Sequence, residues 1–563
     1  MSFVRFLPDG QTVEVIAGST ILAAARAAGV IVESPCNGVG TCGKCAVWLD
    51  AASRPLVRGT GTHSLPDALA AAGWVLACQA TVQGDVTVSL KNSAPAETRI
   101  LQDGQAIGVP LLPLLRKLYQ PQTRTTQILA GAQLLAIEDG DTTDLLYGVV
   151  IDIGTTTLVA SLVDLNSGEE IASTSALNPQ ALHAQDVLSR IALANDALGL
   201  VLLQSAVCAE INRLLVELEA QTGVESRLIY EMIFSGNTCM LHLATGTNPA
   251  SLGRYPYAPA LNGGEHRLAS EVGIAIAPDG VIYLPPIISG FVGADITAGI
   301  LAADLAQRRG VSLFIDIGTN GEMVLAVDGR LTATSTAAGP AFEGMNITFG
   351  MRAGNGAIEA CEILADGTLD LTIIGDGEAS GICGSGLVDI VGELVAHGVI
   401  NAQGKLAKCP SVDVPTLIQD RLQPYQGKAA FRLTDHVWLT QKDIRQVQLA
   451  KGAIRAGIDY LLKHAGVVAE ELDAILIAGS FGYHLRALSL MHLGLLPPTP
   501  EEKVEFLGNT AKSGGVAFLR YAPSRAAIQQ LVGAVQVLEL ANFPDFDRAF
   551  VACLGFPALV AIG

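Results

Sequence analysis

The chain has 563 residues, of which 50% are apolar, 16% are charged and 60 are glycine, and this composition indicates a folded α/β protein of several domains. The formal net charge of −19 disfavours nucleic acid and anionic membrane surfaces as partners. The first residues carry no basic segment followed by an apolar one, so an export signal is not expected and we predict a cytoplasmic protein.

The first 30 residues predict two strands and a helix. The segment FVRFLPDGQTVEVI places apolar residues on both sides of an Asp-Gly pair, which is typical of a β-hairpin. The segment STILAAARAAG follows, with Ser19 or Thr20 as the helix N-cap and Gly29 at the helix end.

Four cysteines near this helix predict an iron–sulfur site. Three of them lie in PCNGVGTCGKC with the spacing C-x5-C-x2-C, and the next one follows in WVLACQATVQGDVTVSL. The glycines between them allow the backbone to wrap around a cluster. The predicted ligands are Cys36, Cys42, Cys45 and Cys78.

These features resemble [2Fe-2S] ferredoxins of the β-grasp fold, and we assign residues 1–91 to such a domain. The spacing departs from the plant-type C-x4-C-x2-C and is similar to that of the ferredoxins serving bacterial and mitochondrial monooxygenases. A structural zinc site is the alternative, although such sites use paired C-x-x-C units and only one is present. Six other cysteines stand alone and are predicted to be small buried residues: Cys208, Cys239, Cys361, Cys383, Cys409 and Cys553.

Residues 92–146 predict a linker with at most one small packed element, because short apolar patches alternate there with proline-containing segments. Beyond it, the pattern around Asp152 recurs around Asp316: an apolar strand, the motif D-I-G-T, a second strand, a turn and a third strand. A repeat of domain size predicts two similar lobes, 147–310 and 311–563.

The D-x-G-T motif suits phosphate binding. Glycine allows an anion to approach the backbone, the N–H groups and the Thr hydroxyl donate to phosphate oxygens, and the carboxylate holds hydrated Mg²⁺. Two such loops facing one another would bind the β- and γ-phosphates of ATP. The predicted residues are Asp152, Gly154, Thr155, Thr156, Asp316, Gly318, Thr319 and Asn320. Glu322 follows in the second motif and either orients the attacking water or caps the turn.

The doubled motif resembles the ribonuclease H-like superfamily of acetate and sugar kinases, heat-shock chaperone ATPases and actin. In that superfamily a further glycine turn holds the adenosine, and LDAILIAGSFGYHL supplies Gly479, Ser480 and Gly482. Gln448 and Lys451 share one face of a predicted helix and either line the base or are ordinary helix residues. Gly384 and Ser385, in GICGSGLVDI, open another helix near the phosphates.

A ferredoxin domain joined to an ATPase suggests an energetically uphill reduction. Plant-type [2Fe-2S] centres have potentials near about −400 mV. An acceptor of lower potential is reduced only if another process shifts the equilibrium, and about 59 mV corresponds to a factor of ten. ATP binding or hydrolysis can supply such a shift by favouring one protein conformation.

The combination resembles the reductive activators of corrinoid enzymes over nearly the whole chain. The resemblance rests on the N-terminal cysteine pattern and on long motifs: NPQALHAQDVLSRI, SGNTCMLHL, PPIISGFVGADITAGIL, DIGTNGE, AAGPAFEGMNITFGMRAG, GICGSGLVDI, TQKDIRQVQLAKGAI and LGNTAKSGG. It implies ATP-dependent reduction of Co(II) to Co(I) on the corrinoid protein of a methyltransferase system. It also implies an external electron donor, such as a ferredoxin, a flavodoxin or a reductase.

This chain departs from the family pattern in having little room for the additional middle domain of many relatives. Three alternatives stay open at this point. The first alternative is an activator of another low-potential enzyme. The second is a small-molecule kinase with a ferredoxin domain attached, and the third is an electron carrier whose ATPase fold is inactive.

Overall fold

The computed structural model describes residues 1–8, 10–34, 36, 38–40, 43–59, 65, 67–90, 108–406, 415–479 and 485–557 of the chain.

The N-terminal domain is a five-stranded mixed sheet with a helix packed on it. In chain order it contains β1 (Ser2–Leu7), β2 (Gln11–Val15), α1 (Ile21–Ala27), β3 (Ala46–Leu49), β4 (Val57–Arg58), α2 (Asp67–Ala72), β5 (Trp74–Leu76), β6 (Thr81–Val82) and β7 (Val86–Leu90). The strand order is β2-β1-β7-β3-β5, with β1 parallel to β7. The predicted hairpin and helix are confirmed, and Thr20 is the N-cap because its hydroxyl accepts from the Ala23 N–H at 3.1 Å.

The segment between the N-terminal domain and the first lobe contains a folded three-stranded sheet. Its antiparallel strands are β8 (Leu115–Gln120), β9 (Thr125–Ala130) and β10 (Gln133–Asp139). Leu115 and Ile128 are fully buried against the neighbouring lobe, and the Tyr230 hydroxyl donates to Glu138 at 2.8 Å. The small packed element is therefore present, and it is attached to the first lobe instead of lying free in a linker.

The first lobe is built on a six-stranded sheet. Its elements are β11 (Tyr147–Ile153), β12 (Thr157–Asp164), β13 (Glu170–Leu177), α3 (Val187–Ala194), α4 (Ala197–Thr222), β14 (Ile229–Gly236), α5 (Thr238–Ala244), β15 (Glu265–Leu268), α6 (Ala269–Val272), β16 (Val281–Leu284) and α7 (Ala294–Ala302). The strand order is β13-β12-β11-β14-β16-β15. Three antiparallel strands are thus followed by a crossover to β14, which runs parallel to β11.

The second lobe repeats this arrangement. Its elements are β17 (Val311–Ile317), β18 (Gly321–Val327), β19 (Arg330–Thr336), β20 (Ala357–Ile363), β21 (Leu369–Ile373), β22 (Gly381–Ile382), α8 (Gly384–Ala396), α9 (Thr416–Gln419), β23 (Leu422–Tyr425), β24 (Lys428–Arg432), β25 (Trp438–Thr440), α10 (Gln441–Ala465), β26 (Ala474–Ala478), α11 (Ala487–His492), β27 (Val504–Gly508), α12 (Thr510–Arg520), α13 (Pro523–Val532), β28 (Gln536–Val537) and α14 (Phe546–Ala552). Its main sheet has the order β27-β26-β17-β18-β19-β28, and β26 runs parallel to β17. The predicted repeat is confirmed.

Helix α12 follows the second lobe in sequence but packs against the first. An added Cβ at Gly515 would lie 2.4 Å from Cγ1 of Val150, so the small residue permits close contact with β11. The Lys512 ammonium pairs with Glu170 at 2.9 Å. The packing thus differs from the predicted division at residue 311, because a repeat in sequence does not reveal against which lobe a later helix lies.

Among the described residues, one helix is long and apolar enough to cross a bilayer, namely α4. One of its faces lies in the core of the first lobe, through Leu203, Val207, Ile211, Leu214 and Leu218. Such a face is ordinary for a long helix packed on a sheet, so the composition of α4 is weak support for a membrane span.

A buried ion pair joins α13 to the first lobe and should be important for stability. Arg525 donates to Glu231 at 2.6 Å, and both side chains are buried. Burial alone would raise the pKa of Glu231, but the charges and hydrogen bonds of Arg525 and His266 together outweigh it and hold that pKa below its ordinary value. The ion pair therefore contributes to the free energy of unfolding at neutral pH. This contribution is lost only as the pH falls through the lowered pKa of Glu231.

We predict that Arg525→Ala destabilises the protein by about 3–5 kcal/mol, because it leaves a buried carboxylate with only His266 beside it, at 3.8 Å. Thermal unfolding at neutral pH, followed by circular dichroism, would measure the loss. Arg227→Ala is the control, since Arg227 also pairs with a glutamate but its side chain is 67% exposed. Equal midpoints for Arg525→Ala and the control would contradict the assignment.

Candidate functional site

The first predicted phosphate-binding loop, residues 154–156, connects β11 to β12, and we call it the first phosphate loop. Asp152 lies at the next-to-last position of β11, and the Gly154 N–H donates to the Thr157 carbonyl at 2.9 Å. A Cβ at Gly154 would lie 2.7 Å from that same carbonyl oxygen, so the tight turn requires glycine. The loop therefore brings a carboxylate, backbone N–H groups and two Thr hydroxyls to one strand end.

Buried polar side chains hold the first phosphate loop in place. Asn178 donates to the Gly154 carbonyl at 2.8 Å, and Arg190 donates to the Thr155 carbonyl at 2.7 Å. Asn237 donates to the Thr155 hydroxyl at 3.0 Å. These three residues come from the motifs NPQALHAQDVLSRI and SGNTCMLHL, to which sequence reasoning gave no role. The feature of the sequence that could have indicated their role is that they are polar or charged residues within otherwise apolar segments.

Arg190 is one of the two fully buried supports, with Asn178. Besides the loop carbonyl, its guanidinium donates to Gln180 at 3.0 Å and to the Ala184 carbonyl at 3.1 Å. Burial lowers the pKa of Arg190 to about 10, which still leaves it charged at neutral pH. A fixed guanidinium therefore lies directly beneath the backbone of the first phosphate loop.

The second phosphate loop, residues 318–320, connects β17 to β18 in the same way. The Gly318 N–H donates to the Asn320 carbonyl at 2.9 Å. Asp316 pairs in register with Glu322 on the neighbouring strand, so their side chains share one face of the sheet. Gly479 approaches this loop so closely that an added Cβ would lie 2.9 Å from Oδ1 of Asp316.

Four carboxyl groups from both lobes gather between the two phosphate loops. Burial raises the pKa of Asp152 to about 6, although a hydrogen bond from Asn509 and the charge of Lys512 act in the opposite direction. Burial, then the charges of Asp295 and Asp152, raise the pKa of Asp316 to about 8.

The other two members of this carboxylate cluster behave similarly. Burial, followed by the charge of Asp152, raises the pKa of Asp295 to about 7. Burial and the charges of Asp295 and Asp316 raise the pKa of Glu322 well above its ordinary value. Asp295 lies in the first turn of α7 and was not predicted as a site residue. It is the acidic residue within the family motif PPIISGFVGADITAGIL, and that motif could have indicated it. Four acids in one cleft favour a cation as their ligand.

The geometry of the cluster fits a hydrated cation better than a bare one. Among the described residues, no three His, Cys, Asp or Glu side chains converge closely enough to hold a metal ion directly. Mg²⁺ commonly keeps several waters and contacts only one or two carboxylates together with phosphate oxygens. The residues present therefore fit Mg²⁺ carried by a nucleotide.

Glu343 joins the two phosphate loops directly. Its carboxylate accepts a hydrogen bond from the Thr156 hydroxyl at 2.8 Å and another from the Thr319 hydroxyl. Glu343 ends the short 3₁₀ turn Pro340–Glu343 and was missed by sequence reasoning. An anionic group thus already occupies the hydroxyls that were predicted to contact phosphate.

The predicted adenosine contacts are only partly described. Ser480 and Gly482 lie outside the described residues, whereas Gly479 lies beside Asp316. The Lys451 ammonium donates to the Gly555 carbonyl and lies 5.2 Å from the centre of the Phe556 ring, and burial lowers its pKa to about 8.

The remaining predicted contacts also have partners within the protein. Gln448 donates to the Leu554 carbonyl at 2.9 Å, next to the segment that Lys451 contacts. At the start of α8, Ser385 is buried beside the Cys383 sulfur at 3.4 Å. Gly384 lines a small apolar pocket together with Ile317 and Phe342 of the second lobe. Nucleotide contacts by these residues remain predictions.

The cluster loop, of which the structure describes residues 36, 38–40 and 43–45, leads into β3 of the N-terminal sheet. The Cys45 thiol is 3.2 Å from the Cys78 sulfur, and neither forms a disulfide. Gly38 has a φ of 88°, and an added Cβ there would lie 3.8 Å from Cβ of Cys78. Two adjacent thiols beside a glycine-rich turn fit thiolate ligation of an iron–sulfur cluster.

The other predicted cluster ligands are described less fully. Cys36 is half-buried at the start of the loop, and Cys42 lies outside the described residues. Four isolated cysteines are buried as predicted, namely Cys208, Cys239, Cys361 and Cys383. Cys553 is half-buried, and Cys409 is outside the described residues.

We predict that Arg190→Met weakens binding of AMP-PNP with Mg²⁺ by about ten-fold or more, because a charged hydrogen bond to the first phosphate loop is lost. Titration calorimetry would measure the affinity, and Arg190→Lys provides a smaller change if the methionine variant is unstable. Arg213→Met is the matched control, since that arginine lies on α4 with a side chain 52% exposed. Unchanged affinity in both Arg190 variants would contradict the positioning role.

Three models of known protein families match consecutive parts of the chain. A 2Fe-2S iron-sulfur cluster binding domain matches residues 4–83, and the C-terminal domain of RACo, described as the ASKHA domain, matches residues 310–561. The predicted fold class is therefore confirmed. A RACo middle region matches residues 147–308, so the expectation that the chain has little room for a middle domain is wrong. That region coincides with the predicted first lobe.

Two individual relatives are also proteins that by name act on a corrinoid or a corrinoid protein. The corrinoid activation enzyme RamQ of Eubacterium limosum is 31% identical over 417 residues, which is 72% of this chain and 70% of RamQ. The Co(II) methylated amine-specific corrinoid protein reductase of Methanosarcina barkeri is 27% identical over 406 residues, covering 65% of this chain and 68% of the reductase.

A solved structure extends the similarity to almost the full length. The reductive activator for corrinoid, iron-sulfur protein superimposes with a TM-score of 0.73 at 30% identity, and the match covers 99% of both chains. With an N-terminal 2Fe-2S domain, a RACo middle region and an ASKHA domain, the chain belongs to the family of RACo-like reductive activators of corrinoid proteins.

Proposed function

We propose that this chain uses ATP to return the cobalt of a corrinoid protein from inactive Co(II) to methyl-accepting Co(I), by delivery of one electron. The observation that carries the proposal is that one chain contains both a loop with adjacent thiols and a cleft with two phosphate loops. Membership of the reductive-activator family supports a corrinoid protein of a methyltransferase system as the partner.

The role of ATP follows from the energetics of the reaction. Co(II) in a corrinoid is an acceptor of very low potential, so electron delivery from a ferredoxin-type centre near about −400 mV is unfavourable. Binding energy released as the two lobes close on ATP can favour a conformation in which transfer proceeds. Hydrolysis to ADP and phosphate then returns the cleft to its conformation without ATP. Each Co(II) takes up one electron.

The phosphate loops bind the nucleotide from both lobes. Gly154 and Gly318 leave room for phosphate oxygens, which accept from the backbone N–H groups and from the hydroxyls of Thr155, Thr156 and Thr319. The side chain of Asn320 adds another donor at the second loop. Because Asn178, Arg190 and Asn237 hold the first loop before the nucleotide arrives, little ordering of its backbone is required when the nucleotide binds.

The carboxylate cluster would hold the cation and the attacking water. Asp152, Asp295 and Asp316 would contact the water shell of Mg²⁺, which when bound neutralises phosphate charge. Glu322 is placed to orient a water molecule toward the γ-phosphate, because it shares a sheet face with Asp316. A bound cation lowers the raised pKa of Glu322 and so favours the ionised carboxylate that accepts a proton from water.

The ferredoxin domain would carry the electron. Cys36, Cys42, Cys45 and Cys78 would hold a [2Fe-2S] cluster, which when bound supplies a one-electron carrier between an external donor and the corrinoid. An external ferredoxin, flavodoxin or reductase would supply the electron. The eight described cysteines are free thiols, which suits a reducing compartment such as the cytoplasm.

We predict that Asp316→Asn lowers the rate of ATP-dependent Co(I) formation by about 100-fold or more, because one carboxylate of the cation site is lost. The Co(I) band in visible spectra of the loaded protein with a Co(II) corrinoid protein, reductant and ATP would measure the rate. Asp366→Asn, in the exposed turn between β20 and β21, is the control. A wild-type rate for Asp316→Asn would refute the proposed role of the cleft.

We also predict that Cys45→Ala abolishes cluster binding, since Cys45 lies beside Cys78 and thiolates are the ligands of such clusters. Iron and sulfide analysis of anaerobically prepared protein would measure it. Cys208→Ala should keep the full cluster content, because that thiol is buried in the first lobe and burial raises its pKa to about 11. Zinc in place of iron and sulfide in the wild type would overturn this assignment.

A further inference from the structure

One stretch of the second lobe, residues 340–352, contacts both the phosphate loops and the ferredoxin domain. We call it the linking segment. It begins with the 3₁₀ turn Pro340–Glu343 and ends at Arg352. The linking segment lies within the motif AAGPAFEGMNITFGMRAG, for which the sequence alone predicted no role.

At its first end, the linking segment contacts both phosphate loops through Glu343. The hydroxyl of Thr156 belongs to the first lobe and the hydroxyl of Thr319 to the second, and both donate to this one carboxylate. Glu343 therefore holds the loops near each other in the protein without nucleotide. Its charge has the same sign as a phosphate group.

At its other end, the linking segment contacts the ferredoxin domain. The ammonium of Lys44, inside the cluster loop, donates to the Ile347 carbonyl. Arg352 lies 3.8 Å from Glu33, which precedes the cluster loop. The docking of the cluster loop therefore depends on where the linking segment lies.

The linking segment is compact, so a movement at Glu343 is transmitted along it. A Cβ at Gly344 would lie 2.4 Å from the Met351 carbonyl oxygen, which shows that the two ends of the turn touch. The Ile347 side chain is fully buried, and Thr348 donates through both its N–H and its hydroxyl to Asp443 of α10. A tightly packed turn of this kind moves as a unit instead of deforming locally.

Glu343 and a nucleotide phosphate compete for the same donors. Each Thr hydroxyl has a single proton to donate, and two anions placed at one position repel each other. If phosphate takes the hydroxyls of Thr156 and Thr319, the Glu343 carboxylate must leave. The rest of the linking segment then shifts with it.

We propose that Glu343 is the positioning residue through which nucleotide binding controls docking of the ferredoxin domain. ATP displaces its carboxylate from the two phosphate loops, the linking segment shifts, and the contacts of Lys44 and Glu33 weaken. The cluster loop is then free to approach the corrinoid partner. This inference rests on the proposed function, since it assumes that phosphate binds between the two loops.

Nucleotide affinity tests the competition. Glu343→Ala should bind AMP-PNP with Mg²⁺ about five-fold more tightly than the wild type, because the competing anion is removed. Glu343→Gln should lie between the two, since the amide oxygen still accepts one hydroxyl but the charge is gone. A residue with a merely structural role would weaken binding when removed. Equal or weaker binding by Glu343→Ala would therefore overturn the proposal.

Hydrogen–deuterium exchange of the cluster-loaded full chain tests the coupling. In the wild type, AMP-PNP with Mg²⁺ should increase exchange in peptides covering residues 43–49 and 345–352. In Glu343→Ala the exchange should already be high without nucleotide and change little on binding. The control Glu362→Ala, which alters a glutamate of β20 with a side chain 61% exposed, should behave as the wild type. No nucleotide-dependent exchange in the wild type would overturn the proposal.

A variant at Arg352 distinguishes the contact with the ferredoxin domain from the contact with the phosphate loops. Arg352→Ala should raise exchange of residues 43–49 without nucleotide and should tighten AMP-PNP binding by no more than about two-fold, because docking opposes nucleotide binding and the ion pair removed is weak. Failure of the proposed function would appear as absent Co(I) formation despite nucleotide-dependent exchange. Failure of this inference would appear as normal Co(I) formation without that exchange.

Discussion

The cleft between the lobes depends on one electrostatic constraint, the crowding of carboxyl groups in a region with little water. Burial raises the pKa of all four members, and for Asp295, Asp316 and Glu322 the charges of neighbouring carboxyl groups raise it further. Asp152 and Asp316 belong to different lobes, so a cation bound as we propose would relieve the repulsion from both sides of the cleft. Charge balance and any closure of the lobes would then be coupled at one place.

The supports of the phosphate loops serve the same cleft. Asn178, Arg190 and Asn237 fix the backbone of the first loop from beneath, so its N–H groups are oriented before a ligand arrives. Glu343 occupies the two Thr hydroxyls from above. The loop backbone is therefore restrained, whereas in our proposal the nucleotide replaces Glu343 as the partner of the two Thr hydroxyls. A site of this kind would respond to a ligand without first having to form.

Local patterns were sufficient to predict the ferredoxin hairpin, the Thr20 cap and the doubled D-x-G-T hairpins, because each depends on residues close in sequence. The contacts that assemble the site were not predictable in this way. Asp295 and Glu343 lie far along the chain from Asp152, and only the fold brings them together. The same holds for Lys451, whose partner Gly555 lies in the last described segment. A single sequence contains no direct record of such long-range pairs.

The return of α12 to the first lobe has a consequence for biosynthesis. Until residues 509–525 have been made, Asp152 has no amide partner, the surface around Val150 is uncovered and Glu231 has no guanidinium beside it. The first lobe is translated early, but it can reach its final packing only after α12 and α13 have been made. If the cleft binds a nucleotide and its cation as we propose, that site is therefore complete only once these two late helices are in place.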